Sequence, residues 1–261
     1  MEIIDVAVKA AEKASEVLKK YHNELKASEV ELKARNDYVT KADTEAEKVI
    51  IEEIKTHFPD HSIVAEESGI SEGNSYKWFI DPLDGTKNFI HGLPFFCISI
   101  GVMYKDELIA GAIQIPFFNE IFTAERGSGT FRNGEKVKVS ERDFTEGLFA
   151  TGFPFRGKDM LDDYLPCFKE VFLNVSGVRR CGAAAIDLAY TACGIFDGFW
   201  ELSLKPWDIA AGVLMIEEAG GIVSDFKGSK EYLKSGNIIG ASEKSYHKLF
   251  EIVNKHLGSK Y

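Results

Sequence analysis

One nine-residue segment limits this chain more than any other: Trp78-Phe79-Ile80-Asp81-Pro82-Leu83-Asp84-Gly85-Thr86. An apolar strand runs into an acid, a proline and, three positions after the first acid, a second acid followed by Gly-Thr. Proline fixes its own φ and has no amide hydrogen, so Pro82 takes the chain out of regular strand geometry. Such a turn can aim Asp81 and Asp84 at one point and leave the Leu83 carbonyl as a further oxygen donor. Hard divalent cations are bound by several oxygens of this kind. Gly85 and Thr86 would then open a helix whose first amides can hold a phosphate. Alone, the segment reads equally as an Asp-Pro turn with a helix cap.

Two other places carry acids in similar settings. Upstream, Ala65-Glu66-Glu67-Ser68-Gly69 puts acids at the end of an apolar strand, with Glu67 read as a solvated or supporting acid. Downstream, Lys205-Pro206-Trp207-Asp208 precedes the apolar run Ile209–Ala219. Pro206 suits a first helical position, and Asp208 in the first turn favours the helix dipole even with no chemistry to perform.

Between these markers the pattern is mixed. Ile4, Val8, Ala11, Ser15 and Leu18 recur at helical spacing, and a second helix is expected from about Lys41 to Phe58, capped by Asp43 or Thr44. The polar stretch Lys26–Thr40 between them shows little apolar periodicity. Strand-like runs follow at Ser62–Ala65, Lys77–Ile80, Phe95–Tyr104, Leu108–Ile115 and Glu120–Ala124, with a hairpin turn at Lys105-Asp106-Glu107. After Leu148–Thr151 the chain alternates: helix Asp159–Leu173, helix Ala183–Cys193, strand Phe196–Leu202 and helix Pro206–Ala219. Short strands at Ile222–Ser224 and Asn237–Ala241 and a helix from about Ser242 to His256 complete it. Periodicity therefore gives an α+β fold. The 261 residues suit one compact unit of two halves, an N-terminal half 1–145 and a C-terminal half 146–261 carrying Asp208.

The net charge of −10 argues against nucleic acid as a direct partner. An acidic protein that handles a phosphate ester needs a positive element, and a metal ion supplies one. Cys97, Cys167, Cys181 and Cys193 lack zinc-site spacing, and three of them sit in apolar stretches as small core residues. No run reaches the ~20 apolar residues of a membrane span. Acids from the start of the first helix exclude a secretory signal, so a cytoplasmic location is expected.

Taken together, Trp78–His91 (with Asn88, Phe89 and His91), Trp207-Asp208-Ile209-Ala210-Ala211-Gly212 closing at Gly220-Gly221, and Glu66 and Asp43 upstream resemble the inositol monophosphatase family along nearly the whole chain. That resemblance implies a layered α/β/α/β/α sandwich, usually a homodimer, that hydrolyses a small phosphate monoester. It implies Glu66, Asp81, Asp84, Asp208 and the Leu83 carbonyl as ligands of two or three Mg²⁺ ions, with Mn²⁺ possible. Four crowded carboxylates would not all stay ionised without such cations, and a site of oxygens alone suits Mg²⁺ or Mn²⁺ over Zn²⁺. It further implies Asp43 and Thr86 as the pair that orients the attacking water, although the residues alone favour a helix cap for Asp43.

The same resemblance makes Gly85, Thr86, Gly182, Ala183, Ala184 and Glu201 substrate contacts. Close packing at a helix start explains Gly182–Ala185 equally well. Lys33 falls in a segment resembling a lid, one residue out of the expected spacing, and reads as a surface lysine. Arg179 and Arg180 read as structural ion pairs before a second-phosphate site. The expected reaction is in-line attack of a cation-activated water on myo-inositol monophosphate, without a phosphoenzyme. Fructose-1,6-bisphosphate or dual specificity is the alternative, followed by a nucleotide 3′-phosphatase and by a transcription-associated regulator.

Overall fold

The computed structural model describes residues 1–24, 30–34, 37–155 and 158–261. The N-terminal part runs α1 (Ile3–Glu24), β1 (Val30–Ala34), β2 (Asp37–Thr40), α2 (Lys41–His57), β3 (Ser62–Ala65), β4 (Gly69–Ser71), β5 (Tyr76–Asp84), α3 (Thr86–Ile90), β6 (Cys97–Tyr104), β7 (Glu107–Ile115), β8 (Glu120–Glu125), β9 (Gly129–Arg132) and β10 (Glu135–Val137). The C-terminal part adds β11 (Leu148–Thr151), α4 (Leu161–Asn174), β12 (Gly177–Arg179), α5 (Ala184–Ala192), β13 (Gly198–Glu201), α6 (Pro206–Glu218), β14 (Ile222–Ser224), α7 (Tyr232–Ser235), β15 (Ile238–Ala241) and α8 (Glu243–Val253).

Eight strands form one sheet in the order β10-β9-β8-β7-β6-β5-β3-β4, and five form a second in the order β12-β11-β13-β15-β14. Three apolar cores hold the layers together. The first joins α1 and α2 to one face of the large sheet through Val6, Ala10, Ala46, Ile50, Trp78 and Ile100. The central core sets α5 and α6 between the two sheets, with Leu188, Val213 and Leu214 against Phe79 and Ile113 on one side and Phe199 and Ile238 on the other. The third packs α4 and α8 on the outer face of the small sheet through Tyr164, Val171, Leu249, Phe149 and Trp200. The result is the layered α+β sandwich: helices, sheet, helices, sheet, helices.

The central layer fits because its residues are small. A Cβ on Gly101 would stand 2.7 Å from the Ala210 Cβ and 2.8 Å from the Ala211 amide, and one on Gly111 would stand 3.0 Å from the Ala211 Cα. Glycine on β6 and β7 therefore lets α6 lie directly on the sheet, and this contact sets the height of Asp208 at the start of α6.

Several local expectations change. The N-cap of α2 is Thr40, and Asp43 occupies the third helical position, where its side chain completes the capping box with the Thr40 backbone. Strand β5 continues through Pro82 to Asp84 because the register with β6 slips between Asp81 and Asp84, and that irregularity is where a missing amide is tolerated. Within the polar stretch after α1, β1 and β2 pair as an antiparallel ribbon. Lys33 lies on β1, and its side chain is outside the described residues. Among the described residues no helix is long and apolar enough to cross a membrane.

Candidate active site

Strands β3 and β5 run parallel, so their C-terminal ends, with Glu66 and Asp81, emerge at the same edge of the large sheet. The peptide link reinforces this, since Glu66 N–H donates to the Ile80 carbonyl at 3.1 Å. The turn after β3 is held by buried Glu47, whose carboxylate accepts the amides of Glu67 and Ser68, each at 2.8 Å. Glu67 is thus fixed through its backbone rather than merely solvated. Asp81 closes its own turn by accepting the Leu83 amide at 2.9 Å. Asp84 accepts the Ala185 amide at 2.7 Å, which sets its carboxylate at the start of α5. Asp208 accepts the Lys205 amide at 2.7 Å.

One cleft, open to solvent, is lined by these acids. From the first half it is lined by Glu66, Asp81, Leu83, Asp84, Gly85 and Thr86. The second half contributes Gly182, Ala183, Ala184, Glu201 and Asp208. Asp43 is buried behind this wall and reaches it through Thr86: the Thr86 hydroxyl lies 3.4 Å from Asp43 Oδ1 and 3.1 Å from the Leu83 carbonyl. One hydroxyl proton serves both acceptors, and the shorter contact falls to Leu83. Glu201 packs directly against Gly152; a Cβ there would sit 1.8 Å from its carboxylate oxygen, so the side chain would have to move aside.

The electrostatics of this wall are strained. Burial, then the charges of Glu66, Asp84 and Asp208, push the Asp81 carboxyl well above the usual carboxylate range. Asp84 moves the same way, through burial first and Asp208 next. Burial lifts Asp43 up to about 6, against the hydrogen bonds from Thr40 and with the Glu67 charge adding to the rise. Cations between these oxygens would offset both the burial of the charges and their mutual repulsion, and a donor set of carboxylates and one carbonyl fits Mg²⁺ or Mn²⁺. Among the described residues no group of three or more His, Cys, Asp or Glu side chains is drawn together closely enough to hold an ion as it stands.

Asp187 and Phe155 escape sequence reasoning, and Asn88, read there only as part of a motif, gains a role. Asp187, in the first turn of α5, lines the cleft while 1 % exposed, with no hydrogen-bond partner for Oδ1. Burial pushes its carboxyl well up. An acid inside the apolar run Ala184–Ala192 was the available signal. Asn88 donates to the carbonyls of Phe95 at 2.6 Å and Cys181 at 2.9 Å, and so ties the Thr86 turn to the Gly182 turn. Phe155, from the loop after β11, stands at the mouth. Arg179 and Arg180, expected as structural ion pairs, make none among the described residues. All four cysteines are free thiols, with Cys97 and Cys167 buried.

A layered α+β sandwich with acids gathered along one cleft suits a metal-dependent phosphatase. The chain belongs to the inositol monophosphatase family, whose family model matches residues 1–257. That family is metal-dependent, with Mg²⁺ typical. The chain is 44% identical to the Nus factor SuhB of Pseudomonas aeruginosa, over 98% of this chain and 97% of that one. It is 40% identical to an inositol-1-monophosphatase of Mesorhizobium japonicum, over 99% and 98%. Among solved structures, the extragenic suppressor protein suhB of Bartonella henselae superposes with a TM-score of 0.94 at 41% identity, covering 98% of this chain and 99% of that chain. A Thermotoga maritima IMPase gives 0.90 at 35% identity, covering 99% of both.

Proposed function

We infer that the chain is a Mg²⁺-dependent phosphomonoesterase that acts on myo-inositol monophosphate or a closely similar small phosphate, by in-line attack of water and without a covalent intermediate. The observation that carries this reading is the convergence of Glu66, Asp81, Asp84 and Asp208 on one cleft, where burial and mutual repulsion drive Asp81 and Asp84 away from ionisation. Two or three Mg²⁺ ions held by these acids and the Leu83 carbonyl would supply positive charge to the phosphoryl oxygens and make an attacking water more acidic.

The remaining chemistry belongs to the chain. Asp43 Oδ1 is a proton acceptor poised near neutrality, and the Thr86 hydroxyl beside it relays or orients a proton on the attacking water. The amides of Gly85 and Thr86 face the phosphate, and Gly182, Ala183 and Ala184 leave room for the ring because they carry no bulk. Glu201 accepts hydrogen bonds from ring hydroxyls. Among the described residues no thiol or imidazole lines this cleft, which supports direct attack over a covalent route. We take the molecule to be a homodimer; the exposed rings of Phe95 and Phe118, 5.3 Å apart, supply an apolar face suited to a second copy.

Relatives named Nus factor SuhB support a second reading, a role in transcription complexes. The test is phosphate release at saturating Mg²⁺ from inositol 1-phosphate, with Asp84→Asn as control. Release that is lost in the variant upholds the phosphatase reading, and its absence in the wild type turns the assignment to the second.

A further inference from the structure

Helix α2 carries two almost fully buried acids with different partners. Glu53, 4 % exposed, is held by Lys9 and Lys13 of α1 and by His57, and so ties the two helices of the outer layer together. Glu47, 3 % exposed, meets no cation among the described residues. Its Oε2 accepts the Glu67 amide and its Oε1 the Ser68 amide, each at 2.8 Å. A buried charge is costly unless hydrogen bonds compensate it, and here two backbone amides of one turn supply that compensation.

That turn is Glu66-Glu67-Ser68, the tip of the β3–β4 hairpin, closed where Ala65 faces Gly69. Every amide in it is engaged. Glu66 N–H donates to the Ile80 carbonyl on β5 at 3.1 Å, and the next two donate to Glu47. The backbone on both sides of the Glu66 side chain is therefore pinned, to the strand that carries Asp81 and to α2. After burial, the Glu66 charge does most to push the Asp81 carboxyl up, so the two acids repel each other. Repulsion of that kind would drive an unpinned turn away from the cleft. Glu47 lies four positions after Asp43, on the same face of α2. The helix thus reaches the cleft twice, through Asp43 to the Thr86 hydroxyl and through Glu47 to the turn of Glu66. Its seat is firm, since Ala42, Ala46, Ile50 and Ile54 are wholly buried in the core shared with the large sheet.

We propose that Glu47 is a positioning residue for the cation site: it holds the Glu66 turn against the repulsion of the neighbouring acids, so that a divalent cation meets a turn already ordered. The proposal rests on the phosphatase reading of the cleft and adds a residue that acts through Glu66. Glu47 itself stands behind the cleft wall and touches neither cation nor substrate. Loss of such a supporting partner weakens a metal site by about 10–100-fold.

Mn²⁺ binding is measured by electron paramagnetic resonance for the wild type, Glu47→Gln, Glu66→Gln and the double variant. Glu53→Gln is the control for loss of an equally buried acid on the same helix. Glutamine keeps the shape of Glu47 but offers one oxygen in place of two. Glu47→Gln is expected to weaken Mn²⁺ binding about tenfold. Added to Glu66→Gln, it should change binding by less than about twofold, because a residue that acts through Glu66 then has nothing left to position. Equal losses in both backgrounds, no loss in the single variant, or an equal loss in Glu53→Gln overturn the proposal. A wild type that binds no Mn²⁺ overturns it too. A second measurement needs no variant: hydrogen exchange at the Glu67 and Ser68 amides of the wild type, followed by NMR. Slow exchange without metal, unchanged by Mg²⁺, is expected; protection that appears only with Mg²⁺ overturns the ordered turn. Coupling between Glu47 and Glu66 without phosphate release upholds the proposal and sinks the phosphatase reading. Phosphate release without coupling does the reverse.

Discussion

Replacing Asp43 by Asn should make the metal-free protein more stable at high pH than at low pH, relative to the wild type. The ordinary aspartate value is 3.8 and burial raises Asp43 to about 6 in the folded state. A raised carboxyl contributes its full stability below the unfolded value and loses it as pH rises through the folded one. The difference of roughly two units corresponds to about 3 kcal/mol in all, of which about 2–3 kcal/mol is lost between pH 4 and pH 8. Asparagine has no such titration. It can still accept the Thr40 amide, while the contacts it fails to reproduce cost the same at every pH. The quantity to measure is therefore a double difference: urea unfolding in chelator for both proteins at pH 4 and pH 8. Asp81, Asp84 and Asp187 titrate in both and cancel. A stability difference that does not change with pH would refute the claim that Asp43 is held near neutrality by burial, while lost activity alone would not bear on it.

Other outcomes follow from the same geometry. Asp84→Asn should lower phosphate release at least ~100-fold, and Mg²⁺ should raise its melting temperature by less than it raises that of the wild type, read by calorimetry with and without chelator. Gly101→Val forces branched carbons against Ala210 and Ala211 and should cost about 1–3 kcal/mol or more in urea unfolding; an unchanged midpoint would mean that α6 does not need its close seat on the sheet. Gly152→Ala places a methyl where the Glu201 carboxylate lies, so KM for the substrate should rise severalfold with little change in far-UV circular dichroism.

The ease of reading this chain varies with how local each signal is. Ser62–Ala65, Leu148–Thr151 and Ile222–Ser224 are strands at the expected bounds, because short β-branched or apolar runs between turn residues leave few alternatives. The acids around Pro82 were legible because a proline between two aspartates at a strand end is itself a geometric statement. The β1–β2 ribbon was not, because the five-residue alternation Val30-Glu31-Leu32-Lys33-Ala34 is short and set in an otherwise polar stretch. Asn88 bonds to carbonyls 7 and 93 positions away, and no sequence window joins Cys181 to it. Asp187 was hidden by its neighbours: in Ala184–Ala192 the apolar pattern spoke for a core helix, and the single acid passed as ordinary helix polarity.

Asp43 and Asp208 share a feature whose reach extends beyond catalysis. Each occupies the third position of its helix and accepts a backbone amide from the residue three before it, at 2.9 Å from Thr40 and at 2.7 Å from Lys205. Each helix would lose an end bond if its acid were replaced, whether or not the protein ever met a phosphate. Selection for a stable sandwich therefore preserves these acids independently of selection for turnover. A descendant that exchanged hydrolysis for a place in a larger assembly would keep the same motif for structural reasons, and its sequence would go on advertising an activity it had abandoned.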